Sequence, residues 1–238
     1  MEAIRYFVSQ VAAHFRARLG ASLVEAYALG SLAHGGFSDI YSDIDVGLLL
    51  DCAAPPANMP ALLAAAKSLD PEFGKKLSVF WGNPEYDWGR LPVIDRLDLL
   101  DHGMALLDGI RPAFRRPSAD EVHREQLQSI EKSWKPRLPE LSRLTALEPK
   151  DRKPYIRAVL YAARLIYTWD KLAVASNDRA VEYLHDVRPA GLELGPIDRA
   201  LGCRKGECSA EDVFALRADL QQQCESALRY IRARREPE

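Results

Sequence analysis

The sequence predicts an α+β protein: a mixed β-sheet domain flanked by helices, followed by an all-α helical bundle. Three observations carry this prediction. Short apolar runs alternate with helical patterns as far as Gly109, as expected where sheet and helices are layered together. Strand patterns then stop. From Pro154 onward, Ile156, Val159, Leu160, Ala163, Ile166 and Tyr167 recur at helical spacing, which marks one face of a packed helix.

The elements follow in order. Met1 to His14 reads as an amphipathic helix carrying Ile4, Phe7, Val8 and Val11, without a signal-peptide cleavage pattern. Val24 to Leu29 is a short strand that ends in Gly30-Ser31. Ile44 to Leu50 is nearly all apolar, which places it centrally in a sheet. Pro55, Pro56 and Pro60 mark a loop, and Ala61 to Leu69 reads as a helix. Leu77 to Trp81 is a third strand, closed by Gly82, Asn83 and Pro84. Arg111 to Pro117 reads as a linker, so the domains are placed at residues 1–112 and 118–238. In the second domain, Pro154 to Trp169 is a helix with its proline in the first turn. Ser209 is expected to cap a helix carrying Val213, Leu216, Leu220, Leu228 and Ile231.

Composition narrows the function classes. With 238 residues, 47% of them hydrophobic, the chain has enough apolar material for a core. A formal net charge of −2 gives no global reason to expect nucleic acid or an anionic membrane, so long nucleic acid is not an expected partner. No apolar run approaches the ~20 residues that span a bilayer, and the expected location is cytoplasmic. Of Cys52, Cys203, Cys208 and Cys224, Cys203 and Cys208 are separated by four residues, with no second close pair and no nearby His to complete a zinc site. Reduced thiols are the expectation.

Chemistry concentrates between residues 28 and 50. A strand ends in Gly30-Ser31, a glycine-containing turn follows, and the chain returns as a strand opening Asp43-Ile44-Asp45. Gly30 lets the backbone approach a phosphate where a Cβ would collide. The Ser31 hydroxyl and adjacent amides can donate to phosphate oxygens, especially at a helix start. Asp43 and Asp45, two apart on a strand, project from one face. Two such carboxylates call for a cation, and Mg²⁺ suits a site of one or two carboxylates plus substrate phosphates.

The combination of Gly-Ser, a gap of about ten residues and Asp-x-Asp resembles the DNA polymerase β-like nucleotidyltransferase superfamily. Ser42 before Asp43 is similar to its small-molecule branch, and Arg157 to Tyr183 resembles the helical domain of streptomycin/spectinomycin 3″-adenylyltransferases. The resemblance implies a nucleotidyltransferase that binds Mg²⁺ and a nucleoside triphosphate through Ser31, Ser42, Asp43 and Asp45, with ATP as donor. Arg164 falls where the family has a phosphate-binding arginine in its helical domain. The implied reaction transfers a nucleoside monophosphate to the hydroxyl of a small-molecule acceptor, as in aminoglycoside adenylyltransferases, and releases pyrophosphate.

Two positions depart from that pattern. Where the family carries a third carboxylate on the next strand, this chain has Ser78; where it carries a phosphate-contacting lysine thirteen residues after the arginine, this chain has Asn177. A hydroxyl cannot take a proton near neutral pH as a carboxylate can. The alternative is therefore a non-catalytic nucleotide-binding or partner-binding protein derived from the family. In the loop after the third strand, Asp87 is the first candidate for a general base and Glu85 the second. Asp95, Asp98 and Asp101, spaced i, i+3, i+6, read as an exposed acidic helix face. His34 reads as a solvent-facing turn residue and His102 as a helix C-terminal residue. Tyr167 and Trp169 read as core, and Lys171 is a replacement candidate for the missing lysine.

Overall fold

A seven-residue segment that is apolar on both faces must be covered on both faces, and β2 (Ile44–Leu50) lies at the centre of a five-stranded sheet. The computed structural model describes residues 1–52, 54–85, 88–108, 115–144, 148–206, 209 and 220–234. The chain divides into two compact units, Met1–Phe37 with Ser42–Pro117, and Ser38–Tyr41 with Ser118–Glu238.

In the first unit, α1 (Glu2–Leu19) leads through a 3₁₀ turn into β1 (Leu23–Leu29) and the single-turn α2 (Ser31–His34). After β2 come α3 (Met59–Lys67), α4 (Pro71–Gly74), β3 (Leu77–Gly82), β4 (Gly89–Arg90), α5 (Val93–Asp101) and β5 (Met104–Ala105). The strand order is β4-β3-β2-β1-β5, with β2 antiparallel to β1 and parallel to β3. The sheet is mixed, as the sequence predicts.

Alternation sorts the side chains. Ala26, Ala28, Ile44, Val46, Leu48 and Val79 share one core with Phe7, Val11 and Phe15 of α1 and Leu62 of α3. Tyr27, Leu29 and Leu49 point to the other face and pack with Leu91 and Leu99. Asp45 is two strand steps from Leu49, so it belongs to the face that α5 covers. Glu25 interrupts the apolar run of β1 yet is fully buried. Its Oε1 accepts from the backbone N–H groups of Ala26 (2.9 Å) and Leu107 (3.0 Å), so the strand is held to the segment after β5.

The second unit is helical. Ser118 opens α6 (Ala119–Ser129) with a capping box completed by Glu121. A π-helical turn (Ile130–Trp134) and a 3₁₀ turn (Lys135–Arg137) follow, then α7 (Leu138–Arg143), α8 (Pro149–Lys171), α9 (Asn177–Val187), α10 (Leu194–Arg204) and α11 (Leu220–Ala233). Its core takes Ile156, Val159, Leu160, Ala163 and Ile166 from α8, and Leu220, Leu228 and Ile231 from α11. Tyr41 joins this core, and Ser38 Oγ donates to the Arg204 carbonyl at 3.0 Å.

Three local differences stand out. Helix α8 begins at Pro149, so Pro154 lies inside it rather than in its first turn; its missing N–H costs one intrahelical bond near the N-terminal end. Cys203 is disulfide-bonded, against the expectation of reduced thiols, while Cys52 and Cys224 are free. Strands β4 and β5, two residues each, carry too few positions to show a period. Val213 and Leu216, and Arg111 to Phe114 of the expected linker, lie outside the described residues. Among the described residues no helix is long and apolar enough to cross a membrane.

Candidate functional site

The site in the sheet unit is built around a single glycine. β1 delivers Gly30 at φ 65° and ψ −150°, a backbone conformation reached without strain essentially by glycine alone. The same residue must also lack a side chain, because a Cβ there would stand 2.7 Å from Asp45 Oδ2. The backbone of the turn and the second carboxylate of the Asp-x-Asp pair are therefore in direct apposition. The Gly30 carbonyl accepts from the Ala33 and His34 amides at 2.9 and 3.0 Å, which closes the turn of α2.

Ser31 Oγ donates to Ser42 Oγ at 2.9 Å, tying this turn to the residue before Asp43. Ser42 is buried. Asp43 immediately precedes β2 and Asp45 is its second residue; both are partly buried. Across the sheet Asp45 is in register with Leu29 on β1 and Ser78 on β3. Ser78 is thus the side chain flanking Asp45 on the neighbouring parallel strand. Gly30, Ser31, Ser42, Asp43 and Asp45 come together as one constellation. Two carboxylates and two hydroxyls beside a glycine without a Cβ form a donor set suited to a hard divalent cation and phosphate oxygens. Among the described residues no group of three or more His, Cys, Asp or Glu side chains forms a metal-binding cluster.

Behind the turn stands a residue that sequence reasoning placed elsewhere. Asp98 is 3% exposed, so it is not part of an exposed acidic face. Its Oδ2 accepts from the Gly30 N–H, while its Oδ1 is buried with no hydrogen-bond partner. Burial raises the Asp98 carboxyl above its usual range, opposed by the Gly30 N–H and by the adjacent His34 and His102. The two imidazoles meet edge-on with centroids 5.6 Å apart. Asp101, one turn further along α5, forms a two-point ion pair with Arg116 at 2.6 and 3.0 Å. The only sequence signal for Asp98 is its place between Leu97 and Leu99, both buried.

Asp87 lies outside the described residues. Glu85 is exposed and accepts from Asn83 Nδ2 at 3.2 Å. In the helical unit, Arg164 on α8 is partly buried, with its Nε lacking a hydrogen-bond partner. Burial lowers its guanidinium to about 10, and the positive charges of Arg157 and Arg204 add to the fall. Asn177 is the first residue of α9, behind a Ser176 cap. Lys171 Nζ sits 4.8 Å from the Tyr183 ring centre. Tyr167 and Trp169 are buried; His123 stacks on Trp169 at 3.9 Å, and Arg179 Nε donates to the Tyr167 hydroxyl.

No family model matches the chain, and no curated protein matches it in sequence. In structure it is similar to spectinomycin adenyltransferase AAD(9) from Enterococcus faecialis, a crystal structure with ATP and spectinomycin. The TM-score is 0.63 at 14% identity, covering 93% of this chain and 99% of that one. The fold is nucleotidyltransferase-like. Within this fold, the Gly30 turn and the start of β2 are the positions at which the sequence carries Gly-Ser and Asp-x-Asp.

Proposed function

We propose that the chain is a nucleotidyltransferase that takes Mg²⁺–ATP and transfers its nucleoside monophosphate to the hydroxyl of a small molecule, releasing pyrophosphate. The observation that carries this reading is the apposition of Gly30 and Asp45, with Ser31 and Ser42 bridged beside them. The similar spectinomycin adenyltransferase was solved with ATP, which supports ATP as the donor.

Asp43 and Asp45 would hold the cation. Mg²⁺, when bound there, supplies charge neutralisation and polarisation of phosphoryl oxygens. Ser31 and Ser42 orient the phosphates, and Gly30, its N–H held by Asp98, contributes the close approach that its missing Cβ allows. The acceptor oxygen attacks the α-phosphorus in line, the bond to the β-phosphate oxygen breaks, and pyrophosphate leaves. Asp87 takes the acceptor's proton. Asp98 acts through Gly30 and holds the turn in place. Catalysis on this scheme is mostly positioning and electrostatic stabilisation.

Ser78 at the register partner of Asp45 favours a second reading, a nucleotide-binding protein without transfer. Thermal unfolding with ATP, GTP, CTP and UTP, each with and without Mg²⁺, tests the site without knowledge of the acceptor. A ligand at ~100 times its dissociation constant adds ~2.7 kcal/mol. A Mg²⁺-dependent shift lost in Asp43→Asn/Asp45→Asn supports the site, and the same shift in that double variant would refute it. Pyrophosphate release with a pool of hydroxyl acceptors then separates transfer from binding alone.

A further inference from the structure

The two halves of the candidate nucleotide site lie in the sheet unit, but the chain between them does not stay there. It leaves that unit after Phe37, runs through the helical unit as Ser38–Tyr41, and returns at Ser42. Gly30 and Ser31 stand before this excursion; Ser42, Asp43 and Asp45 follow it directly.

Two side chains hold the four residues in the helical unit. Tyr41 is 7% exposed and belongs to the helical core, whereas the adjacent Ile40 is 68% exposed. The turn commits one aromatic ring to the core and leaves its tip outside, and a buried ring of this size is a strong anchor. Ser38 supplies the second hold. Its Oγ donates to the carbonyl of Arg204, the last residue of α10, at 3.0 Å. Carbonyls in the last turn of a helix have no intrahelical donor, so this hydroxyl satisfies an acceptor that α10 itself cannot. The same Oγ accepts from the Tyr41 N–H at 3.4 Å, which closes the turn on itself. Helix α10 is fixed in its own right, since Ile197, Ala200 and Cys203 are buried in the same core.

On the other side of Asp43 the sheet takes hold. The Ile44 N–H donates to the Lys76 carbonyl at 2.9 Å, and Ile44 is fully buried. Ser42 is buried, and its Oγ accepts from Ser31. Only Ser42 and Asp43 separate Tyr41 from Ile44. Two residues span at most about 7 Å of chain, so where Tyr41 is anchored limits where Asp43 can stand.

We propose that Ser38 and Tyr41 are positioning residues of the nucleotide site: by anchoring the turn in the helical core, they set the places of Ser42 and Asp43. The assignment rests on the reading of Asp43 as a cation ligand and adds a dependence which that reading lacks. Affinity for Mg²⁺–nucleotide becomes a property of the helical core as well as of the sheet.

Calorimetric titration of the full chain with Mg²⁺–ATP, below the melting temperature of every variant, tests this. Tyr41→Ala and Ser38→Ala are expected to bind roughly tenfold more weakly, within the usual range of coupling between sites. Tyr41→Phe and Ser38→Thr, which keep the ring and the hydroxyl, should restore wild-type affinity. Leu228→Ala removes a buried side chain of the same core and should melt earlier with its affinity unchanged. Amide hydrogen exchange without nucleotide supplies an independent arm. In Tyr41→Ala and Ser38→Ala, exchange at Ile44 should quicken more than at Gly47 and Leu48; in Leu228→Ala it should not. If Tyr41→Ala does not fold, Ser38→Ala carries both readouts. Equal affinity in wild type and the alanine variants overturns the proposal, as does exchange at Ile44 that changes no more than at the strand centre. Equal weakening in Leu228→Ala overturns it too, because affinity would then follow stability alone. Failure of the wild type to bind ATP counts against the nucleotide reading, and the exchange arm then decides the tether by itself.

Discussion

The Gly30 N–H donates to the buried carboxylate of Asp98, so the turn that ends β1 is held from α5 across 68 residues of sequence. This bond occupies the amide of the residue whose missing Cβ makes room for Asp45.

Removing Asp98 should therefore loosen the turn. Asp98→Ala leaves a buried N–H without its acceptor, at a cost of about 1–3 kcal/mol. Asp98→Asn keeps an oxygen for Gly30 and removes the charge. The folded carboxyl titrates above its ordinary value of 3.8, so the folded state holds the proton longer than the unfolded chain. Wild-type stability is then lost as pH rises from about 3.8 through the folded value. Relative to wild type, Asp98→Asn should gain stability as pH rises through that window. Melting temperatures of both proteins across a pH series check this, and parallel curves would sink it.

The reach of sequence reasoning follows from the range of each interaction. β2 was legible to its end residues because seven apolar-rich positions in a row leave little choice. The meeting of Gly30 and Ser31 with Ser42 and Asp45 was legible because it is local to one turn and one strand start. Asp98 was not, since its partner is remote and its i, i+3, i+6 spacing with Asp95 and Asp101 mimics a solvated face. Tyr41 was equally hidden: a residue in a short loop segment gives no sign that it packs into the helical core. The capping box at Ser118 and Glu121 is local chemistry and was available in the sequence.

Gly30→Ala should separate backbone strain from site geometry. The substitution forces a non-glycine residue into a glycine-only region, which costs about 1–3 kcal/mol, and also drives a Cβ to 2.7 Å from Asp45 Oδ2. Gly35 is the control: its φ is 89°, and a Cβ there meets nothing within 4 Å. Both alanine variants should melt earlier. Only Gly30→Ala should lose the Mg²⁺–nucleotide shift, because only there must the Asp45 carboxylate move. An equal loss in Gly35→Ala would mean that strain of the turn, not Asp45, controls binding.

Ser78→Glu places a third carboxylate beside Asp45, its register partner. Without a cation, like charges directly opposite on neighbouring strands destabilise by up to about 1 kcal/mol. A divalent cation converts that repulsion into ligation. The variant should melt below wild type in chelator and recover with added Mg²⁺, with a larger Mg²⁺ response than wild type. Equal Mg²⁺ responses in the two proteins would show that residue 78 does not face the cation.

The helical unit offers a test of its own at alkaline pH. Asp170 Oδ2 accepts from the hydroxyls of Tyr183 at 2.8 Å and Tyr230 at 2.7 Å. Burial, then the hydrogen bond and charge of Asp170, push Tyr183 up to about 12, and the same causes raise Tyr230. Both hydroxyls thus stay protonated in the folded state past their ordinary value of 10.0. The stability they lend is fully present below that value and is lost as pH rises through the folded one. Asp170→Asn keeps an acceptor and removes the negative charge that repels tyrosinate, so both ionisations should move down towards 10. The ultraviolet difference titration of tyrosinate between variant and wild type reads this shift directly. Unchanged titration would mean that burial alone sets both values, and Asp170→Ala would then cost only the about 1–3 kcal/mol of unpaired hydroxyls.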